Sequence, residues 1–133
     1  MKDITWSAIL SVGVEEIDED HRKLVGIFNE LAHAVTNGES AEYLAATFDE
    51  LIKCTAWHFS HEDRLMLKHG YPEIDPHRAA HSELIAAAQR LQAKLTQADQ
   101  AVANAEIEFL DRWLTEHILT ADQRLGSFLA QAL

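Results

Sequence analysis

The segment WHFSHEDRLM, residues 57–66, combines two metal-binding side chains with an apolar helical face. His58 and Glu62 are four residues apart, so on an α-helix both project from one face, one turn apart. Leu65 and Met66 continue that face, which predicts that it points into a protein core. Because a buried imidazole or carboxylate without partners is costly, the segment indicates a polar site inside an apolar core.

The apolar spacing continues outward from this segment and recurs in three other parts of the chain, which predicts four helices. Their predicted limits are about 18–37, 40–69, 75–97 and 101–132. Four helices with short connections predict an all-α fold, an up-down-up-down four-helix bundle. Residues 1–17 show no sustained helical period, so we expect an extended N-terminal arm that Trp6 pins to the bundle.

Residues with strong preferences for helix ends set these limits. Asp18 and Ser40 offer side-chain oxygens as N-caps of the first and second helices. Gly70 is a natural end for the second helix. Asp75 followed by Pro76 predicts a capping carboxylate and a proline at the first position of the third helix.

The bulk composition agrees with one helical domain over residues 1–133. The formal net charge of -11, without a cluster of lysine or arginine, argues against binding to nucleic acid or to an anionic membrane surface. No apolar run approaches the roughly 20 residues of a membrane span. The first residues carry no export signal and Cys54 is the only cysteine, so we expect a cytoplasmic protein. The acidic surface also favours a monomer.

Five of the eight histidines fall on predicted core-facing positions. Besides His58, these are His77 and His81, four residues apart on the third helix, His21 in the first turn of the first helix, and His117 on the fourth. Two carboxylates accompany them, Glu62 and Asp122. The set is too large for one ion but suits two six-coordinate ions that share bridging carboxylates, and imidazole with carboxylate favours iron over calcium or magnesium. Zinc remains an alternative, although its usual four-coordinate sites leave ligands over.

One spacing in this set does not fit a regular helix. His117 and Asp122 are five residues apart, which separates them by about 140° around an α-helix. A single π-bulge brings the two side chains back toward one face, and such bulges concentrate at functional sites. We therefore predict a local irregularity within residues 117–122.

Taken in order, these motifs resemble the bacterial hemerythrins. The resemblance runs from Trp6 to about Arg124, and all seven ligand positions occur in the family's order and spacing. The residues that carry it are Trp6 with SVGV (11–14), IDEDH (17–21), HFSHE (58–62), GYP (70–72) with His77 and His81, and WLTEHI (113–118) with Asp122.

The resemblance implies a centre of two iron ions, Fe2+ or Fe3+, with a bridging oxide or hydroxide. By it, one iron is held by His77, His81 and His117, the other by His21 and His58, and Glu62 and Asp122 bridge them. The second iron keeps an open position for molecular oxygen. The implied function is reversible oxygen binding without enzymatic turnover, as a carrier, store or supplier of oxygen.

Several residues near these positions have open roles. The expected lining of an oxygen pocket is Leu24, Phe28, Trp113, Leu114 and Ile118, although core packing explains the same residues. Cys54 is interpreted as a small packing residue one turn from His58. His61 is predicted at the surface, with a place beside the ligands as the alternative. Asp63 stands where the family usually has a second glutamate and is expected outside the ligand set. His33 and His69 are predicted to be solvated.

Two other classes of function compete with oxygen carriage. A di-iron oxidoreductase or peroxidase needs two Glu-x-x-His pairs on different helices. Glu30 and His33 alone have that spacing, and they lie off the predicted ligand face. A stand-alone oxygen sensor that acts through a partner protein is the second alternative, and the sequence does not separate it from a carrier or a store.

Overall fold

The described part of the chain is helical throughout its regular structure. The computed structural model describes residues 3–95 and 100–132, and no β-strand occurs among them. The helices are α1 (Glu15–Thr36), α2 (Ala41–His69), α3 (Ile74–Leu95), α4 (Gln100–His117) and α5 (Gln123–Ala132). A π-helical turn, Ile118–Asp122, joins α4 to α5 with helical backbone angles on both sides, so these segments form one continuous fourth helix. The prediction of an all-α four-helix bundle is confirmed.

The four helices form a closed ring of neighbours. α1 packs on α2, α2 on α3 and α3 on α4, and α4 returns to α1. Short connections make consecutive helices antiparallel, as the sequence predicts. Their apolar faces meet along the axis in a core whose largest fully buried side chains include Phe28, Phe48, Leu31, Leu51 and Leu110.

The ends of α2 follow the predicted capping chemistry. The Ser40 side chain accepts a hydrogen bond from the backbone N–H of Tyr43 at 3.1 Å. At the other end Gly70 has a φ of 67°, a left-handed conformation that a residue with a Cβ rarely adopts. Residues at the two ends of α2 therefore determine where this helix begins and ends. The helix carries His58 and Glu62.

The start of α3 differs from the prediction. The backbone N–H of His77 already donates to the carbonyl of Glu73 at 3.1 Å, so the helix begins at Ile74. Asp75 and Pro76 consequently lie inside the first turn, where the missing N–H of proline costs no helical hydrogen bond. The predicted end of this helix, near residue 97, lies outside the described residues.

The prediction that Asp18 caps α1 is wrong. The helix begins three residues earlier, at Glu15, after an extended Val14 that makes no side-chain capping bond. Asp18 is buried instead, and its carboxylate accepts hydrogen bonds from the Ser11 hydroxyl at 2.6 Å and the Val12 N–H at 2.9 Å. The carboxylate therefore fastens the N-terminal arm to α1. The arm is shorter than the predicted residues 1–17 and contains one 3-10 turn, Ala8–Leu10.

Two further contacts hold the arm against the bundle. The Asn29 side-chain amide forms two hydrogen bonds with the backbone of Ile4, both 2.9 Å long. Trp6 packs against the core, as expected, and the Arg22 guanidinium lies 5.2 Å from its ring centre. The arm also contacts the start of α5, where the Gln123 side chain donates to the carbonyl of Ser11 at 2.7 Å.

The two helical glycines provide a matched test of this packing. A Cβ on Gly126 of α5 would lie 2.1 Å from the backbone oxygen of Val12, whereas a Cβ on Gly26 of α1 meets nothing within 4 Å. We expect Gly126→Ala to lower the free energy of unfolding by about 1–3 kcal/mol through overpacking. Gly26→Ala should raise it by about 0.5–1 kcal/mol, because alanine loses less backbone entropy in a helix. Urea unfolding measures both, and equal effects of the two variants would contradict the close approach of the arm.

Candidate metal centre

Side chains from all four helices converge in the middle of the bundle. Six of the seven predicted ligand residues are buried, and the His117 side chain is 10% exposed. The seven are His21 on α1, His58 and Glu62 on α2, His77 and His81 on α3, His117 on α4 and Asp122 at the end of the π turn. The structure thus brings together every residue that the sequence places in the site.

The seven residues form two overlapping groups of potential ligands. In the first group, which we call the three-histidine side, Glu62 and Asp122 meet His77, His81 and His117, with all potential ligand atoms within 4.8 Å of one another. Oε1 of Glu62 lies 2.8 Å from Nε2 of His77 and 3.1 Å from Nε2 of His81. Oδ1 of Asp122 lies 3.1 Å from Nε2 of His117.

The second group, the two-histidine side, uses the other oxygen of each carboxylate. Oε2 of Glu62 lies 2.6 Å from Nε2 of His58 and 3.6 Å from Nε2 of His21. Oδ2 of Asp122 lies 3.0 Å from Nε2 of His21. Each carboxylate therefore presents one oxygen to each side, which is the arrangement that two bridging carboxylates require.

The π turn gives Asp122 its place in this arrangement. On a regular α-helix His117 and Asp122 would point in directions about 140° apart. The wider turn over Ile118–Asp122 absorbs the extra residue, and the two side chains meet at 3.1 Å. The predicted irregularity within residues 117–122 is confirmed.

The inner atoms of the cluster satisfy a test for metal binding. Nε2 of His21, His58, His81 and His117, Oε2 of Glu62 and both carboxylate oxygens of Asp122 are buried within ion-pair distance of one another, but none of these atoms is aligned for a hydrogen bond. So many buried polar atoms without an aligned hydrogen bond are costly unless another group satisfies them. Two ligands at right angles, each about 2.1 Å from one ion, lie about 3 Å apart, close to most of the nitrogen–oxygen distances observed. The residues fit a pair of metal ions.

Burial and hydrogen bonding together set the charges of the metal-free cluster. Burial raises the pKa of Glu62, but four imidazoles around it outweigh burial and hold that pKa well below its usual range. Burial and the charge of Glu62 raise the pKa of Asp122, but its imidazole neighbours outweigh both and lower it. Burial lowers the pKa of His58, but the neighbouring carboxylates of Asp20 and Glu62 raise it to about 10. Burial also lowers the pKa of His77, but the carboxylates of Asp122 and Glu62 raise it to about 9. Burial likewise lowers the pKa of His21, but the same two carboxylates raise it above its usual value. At least two imidazolium charges therefore lie beside the two carboxylates.

A small cavity adjoins the two-histidine side. Its walls include both His21 and His58, whereas His117 is the one imidazole of the three-histidine side that reaches it. The cavity is small, with space for one small molecule. Four of the five residues expected to line a pocket do so, namely Leu24, Trp113, Leu114 and Ile118. Phe28 does not, because it lies one turn farther along α1 and packs in the core.

Sequence reasoning missed three residues of this cavity wall: Thr55, Phe59 and Leu84. Thr55 is three residues before His58, a spacing that also favours the same helical face, and its hydroxyl donates to the carbonyl of Leu51 at 2.7 Å. Phe59 stacks on the ring of His81 across the α2–α3 interface, with ring centres 3.6 Å apart. That contact joins two helices and has no signal in local spacing. Cys54 is half-buried beside Trp57 in a surface groove, where burial raises the pKa of its thiol.

Three other positions complete the comparison with the predictions. His61 is not a free surface residue, since its side chain is 16% exposed and its Nδ1 lies 2.6 Å from Oδ2 of Asp20. Asp63 pairs with the exposed Arg78, outside the cluster as expected. His33 is solvated as predicted, whereas His69 is partly buried and its Nε2 has no hydrogen-bond partner.

The chain is therefore a four-helix bundle with five imidazoles and two carboxylates gathered at its centre. This arrangement is typical of metal-binding helical bundles. Residues 12–129 match the family model described as the hemerythrin HHE cation binding domain. The chain belongs to the hemerythrin family.

No helix in the described ranges is both long and apolar enough to cross a membrane.

Similar proteins agree with this assignment over nearly the whole chain. A bacteriohemerythrin of Stenotrophomonas maltophilia is 30% identical over 90% of this chain and 77% of its own length. A bacteriohemerythrin of Methylococcus capsulatus is 28% identical over 96% of this chain and 97% of its own. The crystal structure of a wild-type hemerythrin superposes with a TM-score of 0.83 at 28% identity, covering 96% of this chain and 98% of that one.

The charges of the metal-free cluster predict proton release on metal binding. Because the pKa values of His58 and His77 are raised to about 10 and 9, both rings are protonated at pH 7, and only the neutral rings bind a metal. Filling the site at this pH should release at least two protons, from His58 and His77, with a further contribution from His21, whose pKa is also raised. Binding should tighten as the pH rises toward 9. Titration with Zn2+, a redox-inert probe, in buffers of different ionisation enthalpy gives the proton count by calorimetry. Metal uptake without proton release would contradict this charge assignment.

Proposed function

We propose that this chain binds molecular oxygen reversibly at two iron ions held by the seven clustered residues, as an oxygen carrier, store or supplier. When bound, the iron pair supplies the two electrons that oxygen takes up and returns. One observation carries the proposal: two ligand groups share both carboxylates, and a small apolar cavity is lined by every imidazole of one group but by only one imidazole of the other. Two names among the similar proteins, bacteriohemerythrin and hemerythrin, support the same reading.

The two sides of the cluster differ in the number of imidazoles that they offer. The three-histidine side offers three ring nitrogens with the two shared carboxylates, enough with one bridging oxygen for six-coordination. The two-histidine side offers one imidazole fewer, so an ion held there would have one protein ligand fewer. Because His21 and His58 also line the cavity, such an ion would lie beside the space available to a diatomic molecule.

The cavity wall excludes water from the same place. Leu24, Leu114 and Ile118 are at most 5% exposed, and the wall that they form is apolar. A nonpolar gas enters such a space without losing strong hydration. Once metal ions occupied the ring nitrogens and carboxylate oxygens on the rest of the wall, water would gain few hydrogen bonds there. The residues thus favour oxygen over water and limit the access of protons to it.

The enzyme alternative lacks its ligands in this structure. Its one Glu-x-x-His pair, Glu30 and His33, lies on the outer face of α1, and His33 pairs there with Asp3 at 2.6 Å. The cluster is rich in imidazole and has two carboxylates, instead of the four that the Glu-x-x-His class uses.

The direct test is an optical titration of the iron-loaded protein. The protein is loaded with Fe2+ without air, and its visible spectrum is recorded before oxygen, with oxygen and after oxygen has been removed. We expect two iron ions per chain and a charge-transfer band that appears with oxygen and disappears on its removal. A band that never forms would contradict reversible oxygen binding. A single irreversible oxidation with turnover of added reductant would contradict it as well and would favour the di-iron enzyme.

Asp122→Asn serves as the internal control for that titration. The amide keeps the size of the side chain but removes the charge that balances the cluster, so this variant should retain less iron and show no reversible band. Asp63→Asn removes one carboxylate from the exposed pair with Arg78 and should behave like the unaltered protein. Equal behaviour of the two variants would show that Asp122 is not a ligand.

Filling the cavity should weaken oxygen binding without removing iron. Leu24 lines the cavity, and Leu31, two turns along the same helix, is equally buried but lies away from it. Both Leu24→Phe and Leu31→Phe should cost about 1–3 kcal/mol of stability by overpacking. Only Leu24→Phe should lower oxygen affinity, by about tenfold or more, equivalent to about 1.4 kcal/mol. Oxygen titration of both iron-loaded variants is the measurement, and equal affinities would remove the cavity from the proposal.

A further inference from the structure

Asp20 lies directly behind one of the cluster imidazoles. Its Oδ2 is 2.8 Å from Nδ1 of His58, the ring nitrogen opposite the one that faces Glu62. The same oxygen is 2.6 Å from Nδ1 of His61. The Asp20 side chain is 13% exposed, so these contacts are only partly screened by water.

We propose that Asp20 is a positioning residue that selectively strengthens the metal site on the two-histidine side through His58. The inference rests on the proposed function, because it takes the cluster to hold two iron ions. Asp20 itself does not reach the centre. It acts through the orientation and basicity of one imidazole.

The physical basis is the choice of tautomer in a neutral imidazole. When Nδ1–H donates to the Asp20 carboxylate, the lone pair is left on Nε2, the nitrogen that faces the cluster. The negative charge behind the ring also makes that lone pair a stronger donor to a metal ion. Without the carboxylate, the ring can rotate or hold its proton on the wrong nitrogen.

The second imidazole on this side lacks such support. Nδ1 of His21 is buried and has no hydrogen-bond partner, although its ring stands 4.7 Å from that of His58. Among the cluster imidazoles of the described residues, His58 is the one whose outer nitrogen meets a side-chain carboxylate. The two-histidine side, with one ligand fewer, therefore depends on His58 more than the three-histidine side depends on any single ring.

His61 holds Asp20 from the outer side. It shares the same carboxylate oxygen, and its Nε2 lies 3.4 Å from Oε2 of Glu16. The Trp57 ring, 5.6 Å from that of His61, covers it on another side. These contacts restrict Asp20 to the position from which it reaches His58.

The test is the rate of iron release from the loaded protein. Protein filled with Fe2+ without air is mixed with excess chelator, and release is followed optically for the unaltered chain, Asp20→Asn and Glu19→Gln. Glu19 is the exposed neighbour of Asp20, and its variant loses the same charge without touching the cluster. We expect Asp20→Asn to release one of its two iron ions about 10–100 times faster while the other is unchanged. Glu19→Gln should release both at the original rates.

A second variant separates positioning from general destabilisation. His61→Ala retains the Asp20 carboxylate but removes the contact that restricts its position, so it should accelerate the same single phase to a smaller extent. Unfolding or loosening of the bundle would instead accelerate both phases together, and that result in both variants would overturn the inference.

The remaining outcomes separate this inference from the function on which it rests. Two unchanged phases in Asp20→Asn overturn the role of Asp20 and leave the oxygen-binding proposal intact. Failure of the unaltered protein to retain two iron ions overturns the proposed function, and the inference with it.

Discussion

The structure depends on two buried carboxylates that each face two ways. Glu62 and Asp122 are at most 1% exposed, and each presents one oxygen to each side of the cluster. A buried carboxylate is tolerated only where positive charge and hydrogen bonds surround it, and losing one partner of such a pair costs about 3–5 kcal/mol. The surrounding imidazoles meet this requirement, and cations held between the same groups would meet it as well.

The spacing of the ligand residues along each helix determines the helix geometry that brings them to the carboxylates. Pairs four residues apart on α2 and α3 put two ligands on one face of each helix, so straight helices suffice there. The fourth helix must present His117 and Asp122 across five residues and accepts a π turn to do so. The apolar layers above and below the cluster bury the remaining length of each helix, which stabilises the bundle while its centre carries charge.

Local spacing predicts much of this arrangement, because ligands one turn apart and an awkward five-residue offset are visible in one dimension. An aspartate near the start of a helix can either cap that helix or bind a neighbouring segment, and local spacing does not distinguish these roles. Asp18 is therefore predicted as a cap although its carboxylate binds the N-terminal arm. Contacts between helices are equally hidden. The stacking of Phe59 on His81 and the approach of His61 to Asp20 join residues 22 and 41 positions apart, and no periodicity reports such pairs.

The asymmetry of the cluster links these features to oxygen binding. A centre with three imidazoles on both sides would saturate both ions and leave no place for a ligand. Here the side with fewer imidazoles is also the side whose imidazoles both line the apolar cavity, and it is the side where a carboxylate supports the outer nitrogen of His58. An ion held by fewer protein ligands would depend more strongly on each of them. By our proposal, support behind His58 would let the side that faces the cavity retain a metal ion.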